Sequence, residues 1–296
     1  PKQKYELKKK LSNESTIYKT AELISTKIIT PWGTTGSGVL FNRKGNIYEV
    51  LTAWHVIKDL QKGEAIEIKT NKGNEYFIDK NNIQRIGKLD LGLIKFKSKK
   101  TYNLATIGNS NNLKYNDQLI SAGFPIYEKS IKISLGVVVA NAQLGIDQGY
   151  QLLYSNKTQY GMSGGAILDR EGKLVGIHGR GEIDNKKFSK TEKIFKTGVN
   201  QGIPINLYYI SGEKSANNKS IDKAITADDY LVLAKSSENI IGREQTMIRL
   251  INQHLKLRPE NSRAYYLRGI TYARLEDFNQ CIEDYSKIIK DLPNEY

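Results

Sequence analysis

Near residue 210 the spacing of apolar side chains changes period, and no single kind of secondary structure can satisfy both halves of the chain. Up to that point, short runs such as TKIITPWGTTGSGVLF, IYEVLTAWHVI, AIEIKT, LDLGLIKF, QLISAGFP, ISLGVVVANAQL and KLVGIHG are rich in β-branched and aromatic residues and are punctuated by Gly, Asn and Pro. Many short strands separated by turn residues predict an all-β sandwich or barrel. DREGK, between GAIL and LVGI, predicts a hairpin turn. Pro204 in QGIPINLYYI predicts that this last strand is an edge or only a start, because proline lacks a ladder N–H. From about residue 226 the apolar residues recur at helical spacing instead. Between the two regions SGEKSANNKSID is polar and small, which reads as a linker or long loop separating two cores. The expected division is therefore residues 1–210, a linker over 211–225, and helices over 226–296, in keeping with about two domains for 296 residues.

Composition removes several classes. The single cysteine, Cys281, excludes an internal disulfide framework and a Cys-rich zinc site. No run of about 18 apolar residues exists to span a membrane as a helix, and no cofactor or metal is expected. A net charge of +14 invites a nucleic-acid reading. The lysines are scattered among Asn, Ser and Glu, however, and the dense clusters ELKKKLSN and KFKSKK accompany no nucleic-acid motif, so a solvated basic surface is the expectation. Pro1 in place of Met implies that residues have been removed before it.

QYGMSGGAI, residues 159–167, sets Ser163 among Gly161, Gly164 and Gly165 just before an apolar run. Glycine serves turns that a Cβ forbids and close approach of backbone to ligand. The stretch therefore suits either a tight turn or a nucleophile ringed by backbone N–H groups. LTAWHVI places His55 after a β-run at the start of a short helix, and KLDLGLIKF places Asp90 ahead of a buried strand. A serine hydroxyl is a poor nucleophile at its free pKa and needs a neighbouring base, which in turn needs an orienting group.

These neighbourhoods, with GSGVLF, SAGFP, LVGIHGRGE and QGIPIN, resemble those of trypsin-like serine peptidases of bacterial type. The likeness is strongest to the cyanobacterial-type proteins that join such a domain to tetratricopeptide repeats. The order His55, Asp90, Ser163 is that of the chymotrypsin fold, not of subtilisins or α/β-hydrolases. The resemblance implies a double-barrel, chymotrypsin-like protease domain that cleaves protein or peptide substrates, followed by an all-α repeat region. His55 would be the general base, Asp90 its orienting acid, Ser163 the nucleophile, and the N–H groups of Gly161 and Ser163 the oxyanion hole. Met162 stands where digestive relatives carry the Asp that pairs with a new N-terminus, so zymogen activation by that route is not expected. A location outside the cytoplasm is implied by the resemblance alone.

Thr158 and His178 fall five residues before and fifteen after Ser163. Bacterial glutamyl endopeptidases resemble the chain at these offsets, where Thr and His line the S1 pocket. The resemblance implies a substrate pocket of Thr158, His178, Gly179 and, at its mouth, Lys157, taking a Glu or Asp side chain at P1. An imidazolium would bind that carboxylate better than neutral imidazole, so acidic preference is expected to weaken as pH rises.

LRPENSRAYYLRGITYARLEDFNQCIEDYSKIIKDLPN resembles one tetratricopeptide repeat, with Pro259 and Pro293 34 residues apart. A degenerate repeat precedes it. Tyr272 and Phe278 are expected to fill the space between helices, Cys281 to be a packed thiol, and His254 to pack or face solvent. Repeats imply docking of a protein partner. The alternative reading is a peptidase fold without activity, acting as an adaptor through its repeats.

Overall fold

The computed structural model describes residues 14–181, 197–212, 225–238, 240 and 242–291. A helix over residues 14–24 (α1), which the strand-rich pattern does not announce, leads into the first β-unit. That unit contains β1 (Ser25–Ile29), β2 (Thr35–Lys44), β3 (Ile47–Ala53), the short helix α2 (Trp54–Ile57), β4 (Ala65–Thr70), β5 (Glu75–Asp79), β6 (Ile83–Arg85) and β7 (Leu91–Lys97). Its strands form one sheet in the order β5-β4-β1-β2-β3-β7-β6. The second unit is a closed six-stranded barrel. It comprises β8 (Gln118–Gly123), β9 (Lys132–Asn141), β10 (Leu152–Tyr154), β11 (Ala166–Asp169), β12 (Leu174–Arg180) and β13 (Asn200–Pro204), in the order β10-β13-β12-β11-β8-β9.

The expected pair of barrels is met in the second unit alone, since the first is a seven-stranded sheet with β5 and β6 at its ends. Side chains alternate faces along a strand. Leu40, Tyr48, Val50, Ile94 and Phe96 form the core of the first unit, while Val39, Phe41, Leu51, Leu91 and Leu93 on the same strands face the other way. These outward residues meet Ala166, Leu168, Ile177 and Ile203 of the second barrel, with Ala21 and Ile24 of α1 sealing the cluster. In the second barrel Val138, Leu152, Tyr154 and Ile167 point inward. Burial on both faces is why these strands read as nearly continuous apolar runs.

Two expectations change at the end of the β-region. β13 is not an edge: Leu152 of β10 pairs with Gly202, and Ile177 of β12 pairs with Ile203, so the strand closes the barrel. Pro204 is tolerated because it is the last residue of the strand. NLYYI, read as part of that strand, is instead within helix α3 (Asn206–Gly212). The hairpin turn in DREGK is present, with the Gly172 N–H donating to the Asp169 carbonyl at 3.0 Å.

The helical region comprises α4 (Ala227–Ser236), α5 (Glu244–Leu257), α6 (Ser262–Arg274) and α7 (Phe278–Asp291). Most of the anticipated linker, residues 213–224, and Pro293 lie outside the described residues. The expectation of two separate cores is not met. Val139, Ala140 and Leu153, on the outer faces of β9 and β10, share a buried cluster with Leu231, Val232, Met247, Ile251, Leu255 and Leu267 of α4, α5 and α6. Polar bonds reinforce the seam. Asp229 caps α4 through Thr226 and also accepts from the N–H groups of Gln143 and Leu144 at 2.8 and 2.9 Å. The Lys235 ammonium donates to Thr197 Oγ1 at 2.8 Å and pairs with Glu238, which also holds Arg274 at 3.1 Å. His254 is buried, with Nδ1 2.7 Å from the Ala227 carbonyl and Nε2 2.9 Å from Asn261 Nδ2, a packing role. Cys281 is a buried free thiol. Phe278 departs from expectation: it is 60% exposed at the start of α7 and does not fill the space between helices.

Candidate active site

Register places the first two site residues. Ala53, the last residue of β3, pairs with Leu91, the first of β7, so the chain before β7 lies beside the chain after β3. The Trp54 N–H donates to the Asp90 carbonyl at 3.0 Å. One residue on, the His55 N–H donates to Asp90 Oδ1 at 2.7 Å, and His55 Nδ1 lies 2.7 Å from Asp90 Oδ2. Asp90 is 4% exposed. Burial alone would raise its carboxyl pKa, but the hydrogen bond and charge of His55, with a hydrogen bond from Tyr150, outweigh it and hold the group below the ordinary range.

Ser163 sits in the turn between β10 and β11, against the first β-unit. Its carbonyl accepts from the Ser37 N–H at 2.8 Å. Ser37 Oγ in turn donates to the Gly161 carbonyl at 3.0 Å and accepts from the Phe124 N–H at 2.8 Å. The Tyr160 carbonyl is drawn away by the Ile126 N–H at 2.8 Å. In a trans peptide the C=O and N–H point oppositely, so the Gly161 N–H is turned to the other side. Likewise the Met162 carbonyl accepts from the Gly165 N–H at 2.9 Å, turning the Ser163 N–H outward. Gly161 has φ +94°, and a Cβ there would lie 2.5 Å from the Ile126 nitrogen, which fixes glycine at this point. Met162 is buried, its sulfur accepting from the Gln159 N–H at 3.3 Å, so packing rather than an ion pair fixes the loop. Ser163 Oγ donates to the Gly179 carbonyl at 3.0 Å. Among the described residues it makes no hydrogen bond to His55.

The residues expected at the specificity pocket lie together behind Ser163. His178 on β12 is tied to the nucleophile turn by two backbone bonds, Gly164 N–H to the His178 carbonyl at 2.7 Å and His178 N–H to the Gly165 carbonyl at 2.9 Å. Its Nδ1 is hydrogen-bonded to the Tyr154 hydroxyl. Burial, with the nearby His55 second, pushes its pKa down to about 3. The expected imidazolium is therefore corrected: the ring is neutral at ordinary pH. Where the Tyr154 O–H is the donor, Nδ1 accepts and the ring's proton lies on Nε2. Thr158 Oγ1 lies 2.6 Å from Asn200 Oδ1, and a Cβ on Gly181 would come within 3.2 Å of the same hydroxyl. Lys157 is exposed. A Cβ on Gly179 would lie 2.3–2.8 Å from ring atoms of Tyr150.

Two residues at the site escaped the sequence reading, Ser37 and Tyr150. Ser37 lies within GSGVLF, a segment noted only for its resemblance. Tyr150 carries no motif at all, and nothing short of the fold could have shown its bond to a carboxylate 60 residues earlier.

Residues 36–177, which include His55, Asp90 and Ser163, match the model of the trypsin-like peptidase domain. A serine protease HtrA-like protein of Staphylococcus epidermidis is 27% identical over 179 residues, 56% of this chain and 28% of the relative. A probable periplasmic serine endoprotease DegP-like of Buchnera aphidicola subsp. Schizaphis graminum is 28% identical over 149 residues, 48% of this chain and 29% of that protein. The chain thus spans less than a third of the length of these curated relatives. Among solved structures, the HtrA-type protease AlgW with tripeptide superposes with a TM-score of 0.50 at 24% identity, over 66% of this chain and 61% of that one. Deg5 gives 0.52 at 19% identity, over 67% of this chain and 91% of that one. These two show the fold: a trypsin-like all-β protease unit, here followed by a helical region. Residues 36–177 thus match a trypsin-like peptidase domain, and the curated relatives to which the β-region is similar are serine proteases.

Proposed function

We propose that the protein cleaves polypeptides through an acyl-enzyme at Ser163, with His55 as base and Asp90 as its orienting acid. The observation that carries this reading is the pair of bonds from one histidine to one buried carboxylate, Nδ1 to Oδ2 and N–H to Oδ1, in a β-unit whose Ser37 N–H also holds the carbonyl of the glycine-framed Ser163. Nδ1 held by Asp90 leaves Nε2 as the ring's working nitrogen. Before reaction the Ser163 hydroxyl must turn from the Gly179 carbonyl towards His55. Its Oγ then attacks the scissile carbonyl carbon while His55 Nε2 takes its proton. The oxyanion is held by the N–H groups of Gly161 and Ser163, and the leaving amine departs with the proton from His55. Water repeats the sequence and frees the acid product. Turning Ser163 also frees the Gly179 carbonyl to accept from a peptide N–H of the bound substrate.

The substrate reading within this activity is an acidic P1 residue. The support is a buried, neutral His178 whose Nε2–H would donate, the Thr158 hydroxyl, which must first turn its proton from Asn200 Oδ1, and the positive charge of the exposed Lys157. A buried carboxylate needs such donors. The helical region, residues 226–296, reads as two tetratricopeptide-type repeats that dock a protein partner, with residues 1–210 as the protease domain. The position of the Ser163 hydroxyl on Gly179 favours one competing reading, an inactive adaptor. A fluorophosphonate probe separates the two. Labelling that is lost in Ser163→Ala supports the peptidase, and a folded wild type that resists labelling overturns it.

A further inference from the structure

Among the described residues, Asp90 receives three donors on its carboxylate. Two belong to His55, the residue that Asp90 would orient. The third is the Tyr150 hydroxyl, which shares Oδ2 with His55 Nδ1. A carboxylate gripped only by the imidazole and amide of one residue can swing together with that residue. An independent donor is needed to fix its plane. Tyr150 supplies one from the second barrel, two residues ahead of β10, and its surroundings leave it little freedom. One side of the ring faces Gly179, where even a Cβ would collide. The Arg180 guanidinium stacks at 3.9 Å from the ring centroid and donates to Gln148 Oε1 at 3.2 Å. The Gln148 carbonyl accepts the Asp90 N–H at 3.0 Å. Backbone and side chain of Asp90 are thus both held from one short segment, residues 148–150.

We propose that Tyr150 is a positioning residue for the proposed peptidase reaction: its hydroxyl fixes the Asp90 carboxylate so that Oδ2 stays aligned with His55 Nδ1. The assignment rests on the peptidase reading and adds a part to it. Burial, with the Asp90 charge second, raises the Tyr150 pKa, so the hydroxyl keeps its proton and remains a donor. The ionisable groups facing this cluster are His55 from α2, Arg180 and His178 from β12, and Tyr154 from β10.

Tyr150→Phe keeps the ring against Gly179 and Arg180 and removes only the hydroxyl. In the full chain, kcat on a peptide substrate should fall about tenfold with KM within about twofold, the scale of one hydrogen bond to a charged group. The acid limb of the kcat/KM profile should move to higher pH, because the carboxylate loses a stabilising donor. A readout that needs no turnover is the carbon-13 titration of the Asp90 carboxyl, whose midpoint should rise in Tyr150→Phe. With 3-fluorotyrosine at position 150, which has nearly the same shape and a stronger donor, the midpoint should fall. Opposite shifts support the proposal, since a merely structural role would not reverse sign. An Asp90 titration unmoved by both changes overturns it, whether or not the protein proves active. Absence of any wild-type turnover overturns the peptidase reading instead and leaves the carboxyl titration to decide the role of Tyr150.

Discussion

Ile251 of α5 lies fully buried in the cluster that joins the helices to the outer face of the second barrel, mixing Val139 and Leu153 with Val232, Met247 and Leu267. Ile251→Ala removes three carbons from this seam. Large-to-small changes of this kind cost about 2–5 kcal/mol, depending on how far the site can collapse. Here the walls come from a closed barrel and from packed helices, neither of which can move in alone, so a value of about 3.5 kcal/mol is expected. At about 2–4 °C per kcal/mol for a unit of this size, Tm should fall by about 7–14 °C. The measurement that matters is urea unfolding followed by two probes. Both tryptophans, Trp32 and Trp54, lie in the first β-unit, so their fluorescence reports that unit, whereas far-UV circular dichroism is weighted to the helices. If the seam joins the parts into one cooperative body, both midpoints shift together. A dichroism midpoint that falls while the fluorescence midpoint stays fixed would refute the reasoning, because the helices would then melt as a separate domain.

Gly179→Ala pushes a methyl into the Tyr150 ring, an overpacking of about 1–3 kcal/mol, and should reduce kcat/KM at least about tenfold in a protein that still folds; steady-state kinetics on the purified variant checks this. Because His178 is held neutral in the free site, down to about pH 3, the acid limb of kcat/KM for an apolar P1 substrate should carry no contribution from His178 between about pH 5 and 8; an imidazole titration of His178 within that range in the free protein would contradict the neutral ring. The same group affects stability. Its folded pKa lies below its ordinary value of 6.5, so below that value the unfolded chain binds a proton that the folded one refuses, and this contribution falls as pH drops from about 6.5 towards about 3. Glu238→Gln leaves the buried Lys235 without its counter-charge and should cost about 3–5 kcal/mol in urea unfolding at neutral pH. Burial opposes ionisation of Glu238, but Lys235 and Arg274 hold its pKa below the ordinary value, so its contribution is present above that value and is lost as pH falls through the folded one.

The three polar residues proposed for catalysis were readable because each sits in a local pattern with a mechanical reason: a histidine at a strand-to-helix step, an aspartate ahead of a strand, a serine among glycines. Their supports were not. Ser37 and Tyr150 act across the gap between the two β-units, and neither chain neighbours nor period announce such a bond. The seam was hidden for a different reason. An amphipathic helix shows the same apolar stripe whether it faces another helix or a sheet, and the polar stretch before α4 has the composition of a free tether although α4 is docked directly afterwards. β13 was misjudged because proline was weighed as a strand breaker, when as the final residue it needs no ladder N–H.

His55 and Asp90 belong to the first β-unit, while Ser163 and Tyr150 belong to the second, a barrel that is not closed until Asn200–Pro204 is in place and whose β9–β10 face is covered by helices reaching Leu267. A ribosome delivers these parts in that order, amino end first. On the proposed reading, the half-made polypeptide carries a base without a nucleophile, and for a time a nucleophile without the wall that supports it. Reactivity would then arise only after the first β-unit, part of the chain it could otherwise attack, has been folded away.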